Sequence, residues 1–548
     1  MALCNPKTKN ETGFDAVLRS LELITPFSKK ELKSRIPFVP GQEEELVLEL
    51  EKVERMRRIE TEHPEKTTIL RELLMEVKDN SFTINRSENS VLSVVELFEI
   101  KTLLLQMRSI RELSRDLAEL MPEDFVLVDT EELLDVLDPG KERLNTFYIY
   151  DVFSPALACL REEKRQTEIL IRRAQKELRR QVESQYGISM TPRMEYLVVK
   201  GDKQRMEEAL AIPELFLAGE DYMTATFLLK SGEEVDLHRC KMEELNEIIE
   251  EEELKVREGL SARVADFREV LSENCRRIGG LEFTLAKAVY AIKHRCTQPT
   301  ILKEHRIAIE EGRQIVAEEI LIQKGKTYRP VSLDLENGVT CITGANMGGK
   351  TVSLKMVGLC ALLAQYGFYV PCEKAEIGIS SFIHIMVGDS QNLERGLSSF
   401  GSEMEELKDI LDHSRERSLL LIDELASGTN PVEGMALTKS LVHYLKEKPY
   451  ITLITTHFDT VAEAGAIKNL QVRGLADADF RRLAGEINRA SRRERIEIIG
   501  KYMDYRLFEV ENKEEIPKDA LNIAKMLGIQ GEIIQQAQRY MEDHKNEK

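Results

Sequence analysis

Gly344-Ala345-Asn346-Met347-Gly348-Gly349-Lys350-Thr351 fits G-x-x-x-x-G-K-[ST], the pattern of a phosphate-binding loop. Its flanks agree. Val339-Thr340-Cys341-Ile342-Thr343 predicts a short buried strand feeding the loop, and Val352 to Gln365 predicts an apolar helix leaving it. Glycines let backbone N–H groups turn inward on phosphates, and the helix N-terminus adds its dipole. Lys350 is then expected to reach the β- and γ-phosphates of ATP, and Thr351 to hold Mg²⁺. The competing reading is a glycine-rich turn that matches by chance; strand, loop and helix in succession weigh against it.

Further on, Ser418-Leu419-Leu420-Leu421-Ile422-Asp423-Glu424 is a continuous apolar run ending in two carboxylates. Such a run reads as a strand buried on both faces. Acids at its C-terminal end sit where open α/β sheets bind ligands. Asp423 is the candidate for the Mg²⁺ shell and Glu424 for polarising the attacking water. A third strand, Thr452-Leu453-Ile454-Thr455-Thr456, runs into His457-Phe458; a His there can sense the γ-phosphate through a hydrogen bond.

The order of these pieces, with Leu397-Ser398-Ser399-Phe400-Gly401-Ser402-Glu403-Met404 between them and Ser427-Gly428-Thr429-Asn430-Pro431-Val432-Glu433-Gly434 after the acids, resembles the MutS ATPase. It is similar in particular to the branch without mismatch-reading domains that often ends in a Smr nuclease. The match is dense over residues 330–465. It departs at Ala345, where the family usually has Pro, and at Val352, where many members have a second hydroxyl. The resemblance implies an α/β P-loop NTPase domain of ABC type beside a large, mainly helical core, lever and clamp region. It implies a homodimer, or a heterodimer with a related subunit. Ser398 and Ser399 of one subunit would face the γ-phosphate held by the other. Asp389 would belong to the loop joining nucleotide to dimer, and Ser427 to Gly434 would cross the interface.

Hydrophobic residues make up 42% of the 548 and charged residues 32%, which suits a large multidomain protein with long exposed helices. No stretch approaches the roughly 20 apolar residues of a membrane span, and the N-terminus lacks a signal-peptide layout. The 8 Cys show no C-x-x-C, so a reducing cytoplasm is expected, without a disulfide framework or zinc site.

By the family layout, residues 1–160 are expected to be a helical core. Residues 161–300 would be long helical arms with a small strand-containing tip at about 190–260. Residues 301–475 would be the ATPase domain and 476–548 a helical bracing segment. Arg161 to Tyr186 and Glu243 to Ile292 read as long helices, with strand-like stretches at Met194–Val199 and Tyr222–Leu229. The basic run Arg481–Arg495 reads as a solvated helix face, and residues 519–541 as a closing helical pair. The chain enters the core almost at once and stops soon after the last helical pattern, so neither a mismatch-reading domain nor a nuclease is expected. Phe267-Arg268-Glu269 has the letters of a mismatch wedge but reads as part of a long helix.

Charge divides the possible clients. Net charge is −19, and Glu195 to Glu258 holds 18 acidic and 8 basic residues, a net of −10. DNA affinity needs Lys and Arg against phosphates, and Glu250-Glu251-Glu252-Glu253 would repel a duplex. One reading is a DNA-handling MutS ring closing under ATP control, the family default. The other is an ATP-dependent reactivating factor for an adenosylcobalamin-dependent amino-acid aminomutase; residues 144–151 resemble that group. A dead scaffold fits poorly with intact Lys350, Thr351, Asp423 and Glu424. A basic stripe along the inner arms would favour DNA.

Overall fold

The computed structural model describes residues 3–344, 349–388, 399–426, 429–458, 461, 467–475, 480–489, 495, 498, 502, 504–510 and 519–546. It is a mixed α/β protein in two compact units. Met1–Met75, Leu113–Val126 and Arg276–Lys548 make one; Glu76–Glu112 and Leu127–Cys275 make the other.

In the second of these, helices Pro155–Tyr186 and Glu233–Asp266 pack antiparallel. Ser154 caps the first by accepting from Leu157 N, and Pro155 occupies a position whose missing N–H costs nothing. Lys241–Glu163 (2.8 Å) and Arg161–Glu253 (2.7 Å) tie the helices together, and Ser154 Oγ donates to Glu252 at 2.8 Å. Half of the Glu250–Glu253 run is thus engaged with the facing helix, and only Glu250 and Glu251 are fully exposed. Beyond the helices, β1 (Glu195–Val199), β2 (Leu215–Glu220) and β3 (Thr224–Leu229) form an antiparallel sheet of order β1-β3-β2. Val198, Leu215, Ala225 and Phe227 make its core with Val182 and Ala209. β2 carried no strand signal, because a register shift between Leu217 and Gly219 breaks the alternation that marks a strand. The helix expected over Glu243–Ile292 is instead two, Glu233–Asp266 and Arg268–Lys293, broken at Phe267 (φ −94°, ψ 4°). Phe267 therefore sits at a junction, not inside a helix.

The other unit holds two sheets. β4 (Thr300–Leu302), β5 (Ile307–Gly312), β6 (Val331–Leu335) and β8 (Lys374–Gly378) form one, in the order β4-β8-β5-β6. β7 (Gly338–Thr343), β9 (Phe382–Met386), β10 (Ser418–Asp423), β11 (Tyr450–Thr455), β12 (Lys468–Gly474) and β13 (Asp504–Glu509) form the other, in the order β13-β12-β7-β11-β10-β9. All neighbours in it are parallel except the edge pair β12–β13. Leu419 and Leu421 of β10 enter the core under helix Gly349–Gln365. Leu420 and Ile422 enter the core under helices Ser399–His413 and Pro431–Leu445. Both faces being covered, every residue of the run is apolar, as the sequence suggested.

Residues 3–20 join this unit, which no linear pattern announced. Leu3 O accepts from Ile383 N at 2.8 Å, and Thr8 Oγ1 accepts from Ile385 N at 3.3 Å. Thr12 lies against Gly358, where a Cβ would meet Thr12 Cγ2 at 2.6 Å, so only glycine allows this approach. The C-terminal helices are Asp519–Met526 and Gly531–Asn546. Among the described residues no helix is long and apolar enough to cross a membrane.

Candidate functional site

β7, β10 and β11 end side by side, so their C-terminal residues converge. Parallel register sets Asp423 opposite Thr455. Both Asp423 carboxylate oxygens are engaged: Oδ2 accepts from Thr351 Oγ1 at 2.7 Å and Oδ1 from Thr455 Oγ1 at 2.5 Å. Thr351 lies in the first turn of helix Gly349–Gln365, next to Lys350. The Lys350 side chain is 4% exposed; its Nζ donates to Gly344 O at 2.9 Å and lies 3.0 Å from Glu424 Oε1. Thr456 O stands 3.4 Å from the same ammonium. A buried ammonium needs partners of this kind.

Glu424 begins a turn. Its φ is +46° and that of Ala426 is +59°, left-handed values that non-glycine residues adopt only under constraint. Glu424 N donates to Thr455 O and Thr455 Oγ1, both at 3.1 Å. Ala426 N donates to Glu403 Oε1 at 2.8 Å, and burial pushes the Glu403 carboxyl above its ordinary pKa. His457 is exposed just past β11, its ring centroid 4.0 Å from that of Phe458. Val352, half-buried, continues the helix.

Thr351 and Asp423 suit Mg²⁺. A hydroxyl and a carboxylate are hard oxygen ligands, the set Mg²⁺ takes together with waters and phosphate oxygens. Among the described residues no group of three or more His, Cys, Asp or Glu gathers, so no site of transition-metal type competes.

The structure thus brings together Gly344, Gly349, Lys350, Thr351, Asp423 and Glu424. Ala345, Asn346, Met347, Gly348, Asp389 and Ser398 lie outside the described residues, as does the Ser399 side chain, although Ser399 opens helix Ser399–His413. Thr455 and Glu403 lie within stretches that the sequence marks, but linear order gives neither a role of its own. The Thr455 hydroxyl looks like any β-branched strand residue until the register is known, and the reach of Glu403 depends on how its helix packs.

A model for MutS domain V matches residues 340–544. Over these residues the chain is similar to the MutS family. It is 37% identical over 249 residues to the DNA mismatch repair protein MutS of Salinibacter ruber, covering 44% of this chain and 27% of that protein. It is 36% identical over 215 residues to Endonuclease MutS2 of Pediococcus pentosaceus, 39% of this chain and 27% of the relative. To Endonuclease MutS2 of Caldanaerobacter subterraneus subsp. tengcongensis it is 29% identical over 459 residues, 81% of this chain and 53% of the relative. The chain spans between 27% and 53% of the length of these curated relatives.

The unit made of Glu76–Glu112 and Leu127–Cys275 carries a second candidate surface. Arg165, Arg172, Arg173, Lys176 and Arg180 are exposed, and their spacing sets them on one outward face of helix Pro155–Tyr186. At a rise of 1.5 Å per residue the stripe is about 22 Å long. Arg165 and Arg180 have only loose ion pairs with Glu162 and Glu177, each at 3.6 Å.

Proposed function

We propose that residues 344–351 with Asp423 and Glu424 form the P-loop ATPase site of an ABC-type fold, and that the chain hydrolyses ATP to ADP and phosphate. The observation that carries this is Lys350, buried between Gly344 O and Glu424 at the ends of parallel strands, next to the Thr351–Asp423 pair. Gly344 to Gly349 wrap the phosphates with backbone N–H groups. Lys350 neutralises their oxygens. Mg²⁺, held by Thr351 and Asp423, supplies further charge neutralisation when bound. Glu424 takes the proton of the attacking water as the water oxygen bonds to the γ-phosphorus and the β–γ bridging oxygen leaves with ADP. His457 hydrogen-bonds the γ-phosphate.

The chain works as a dimer, Ser398 and Ser399 of one subunit completing the site of the other, and nucleotide closure moves the helical arms of residues 161–300 as levers. The client is DNA. The cationic face from Arg165 to Arg180 supports this, since phosphate contacts supply most non-specific affinity. The acidic run that argued against it is half engaged within the arm.

The test is steady-state ATPase activity with and without homoduplex, mismatched and four-way-junction DNA, over a salt titration. Hydrolysis stimulated by DNA, with binding that weakens as salt rises, is expected. Absence of hydrolysis overturns the ATPase reading. Hydrolysis indifferent to every DNA transfers the client to a protein, with cobalamin-dependent aminomutases the first to try.

A further inference from the structure

Two left-handed non-glycine residues within three positions, Glu424 and Ala426, make the segment after β10 a strained turn, and strain persists only where the surroundings over-determine it. Three anchors do so here. Thr455 receives the Glu424 amide through its carbonyl and its hydroxyl. Leu425 and Ala426 are each only 1% exposed. Gly434 leaves room for Ala426 O, which a Cβ at that position would meet at 2.8 Å. A further polar anchor comes from another element: Glu403, on helix Ser399–His413, accepts the Ala426 amide at 2.8 Å.

We infer that Glu403 is a positioning residue that aims the Glu424 carboxylate by holding the far end of its turn. The inference rests on the reading of Glu424 as the group that takes the proton of water. A carboxylate receiving a backbone N–H is a charge-assisted bond, stronger than an amide–carbonyl pair. Without it, the Ala426 backbone can relax out of the left-handed region and carry Glu424 away from Lys350. Glu403 thus acts on Glu424 through the backbone of the turn. Its helix is braced separately: Glu406, one turn on, accepts from Lys7 Nζ at 2.8 Å and lies 3.3 Å from His384 Nε2.

The experiment compares wild type, Glu403→Ala, Glu403→Gln and Lys350→Ala in the full chain, by steady-state ATP hydrolysis, by affinity for a fluorescent ATP analogue, and by hydrogen exchange of the peptide spanning residues 424–430. Gln keeps the Oε1 acceptor; Ala removes it. Expected for Glu403→Ala are a kcat lowered by about 10- to 100-fold, the cost of misplacing a reacting group by about 1 Å, nucleotide affinity within about 2-fold of wild type, and faster exchange of the turn. Glu403→Gln is expected within about 3-fold of wild type. The inference is overturned by unchanged exchange in Glu403→Ala, by kcat retained despite faster exchange, or by kcat and affinity falling together. If wild type does not hydrolyse ATP and Lys350→Ala does not alter nucleotide affinity, the ATPase reading itself has failed, and the exchange result alone then decides whether Glu403 holds the turn.

Discussion

Lys350 Nζ lies 3.0 Å from Glu424 Oε1, so the ammonium of the glycine-rich segment and the carboxylate beyond β10 are ion-paired. This pairing ties their effects together while leaving their roles separable. Glu424→Gln keeps the side-chain shape and loses the proton acceptor. It is expected to bind ATP normally and to hydrolyse it at least about 100-fold more slowly. Lys350→Ala is expected to lose nucleotide affinity. Isothermal titration and steady-state rates measure both, and rapid turnover by Glu424→Gln would remove this residue from the chemistry.

Thr455 holds Asp423 Oδ1 by its hydroxyl and Glu424 N by the same oxygen. Thr455→Val preserves the shape and removes both bonds. A buried carboxylate oxygen left unsatisfied costs about 1–3 kcal/mol, so the midpoint of urea unfolding is expected to fall. Because Asp423 is the proposed Mg²⁺ residue, the Mg²⁺ concentration giving half-maximal ATPase activity is expected to shift as well. A variant matching wild type in both would show that this hydroxyl is dispensable.

Gly358 carries the packing against Thr12, the last residue of helix Pro6–Thr12. Gly358→Ala would place a methyl 2.6 Å from Thr12 Cγ2 and 2.9 Å from Leu421 Cδ1. Overpacking of this kind costs about 1–3 kcal/mol. Thr12→Ser deletes the methyl in conflict, so the double variant is expected to recover part of the loss. Strict additivity in thermal unfolding would mean the two residues do not meet.

His305 should make stability depend on pH. Burial lowers its pKa from 6.5 to about 4, although Asn337 Oδ1, 2.9 Å from Nδ1, opposes the shift; Ser380 Oγ lies 3.2 Å from Nε2. With the folded value below the unfolded one, the unfolded chain binds the extra proton between them. The stabilisation is present above pH 6.5 and is lost as pH falls toward 4, by roughly 3 kcal/mol over the window. Urea titrations at several pH values on wild type and His305→Gln check this; the variant's stability curve is expected to be flatter.

The outward face of helix Pro155–Tyr186 gives a prediction in salt. Arg172→Ala, Arg173→Ala and Lys176→Ala together are expected to weaken binding of any duplex. The slope of log K against log salt is expected to fall by up to about 3, since each phosphate that a cation neutralises contributes about 0.9. Basal ATP hydrolysis is expected to stay as in wild type. An unchanged slope would take this face out of DNA binding.

Much of the parallel sheet and its candidate site was legible in linear order because its signals are local. A glycine-rich segment between a β-branched run and an apolar helix, and the run Leu419–Ile422 ending in two acids, each declare strand, turn or helix within a few residues. The same locality explains the errors. An apolar period continues through Phe267 although the helix breaks there, and β2 hides its strand in a bulge. Only the tertiary structure decided that Thr455 faces Asp423, that Glu403 closes the turn beyond Glu424, that Thr12 rests on Gly358, and that Glu252 and Glu253 are engaged by Ser154 and Arg161 of the facing helix. The physical reason is common to all four. Residue type and period specify an element, but which atoms meet depends on strand register and on how helices pack, and those are set by cores such as the one joining Leu420 and Ile422 to Leu441 and Val442.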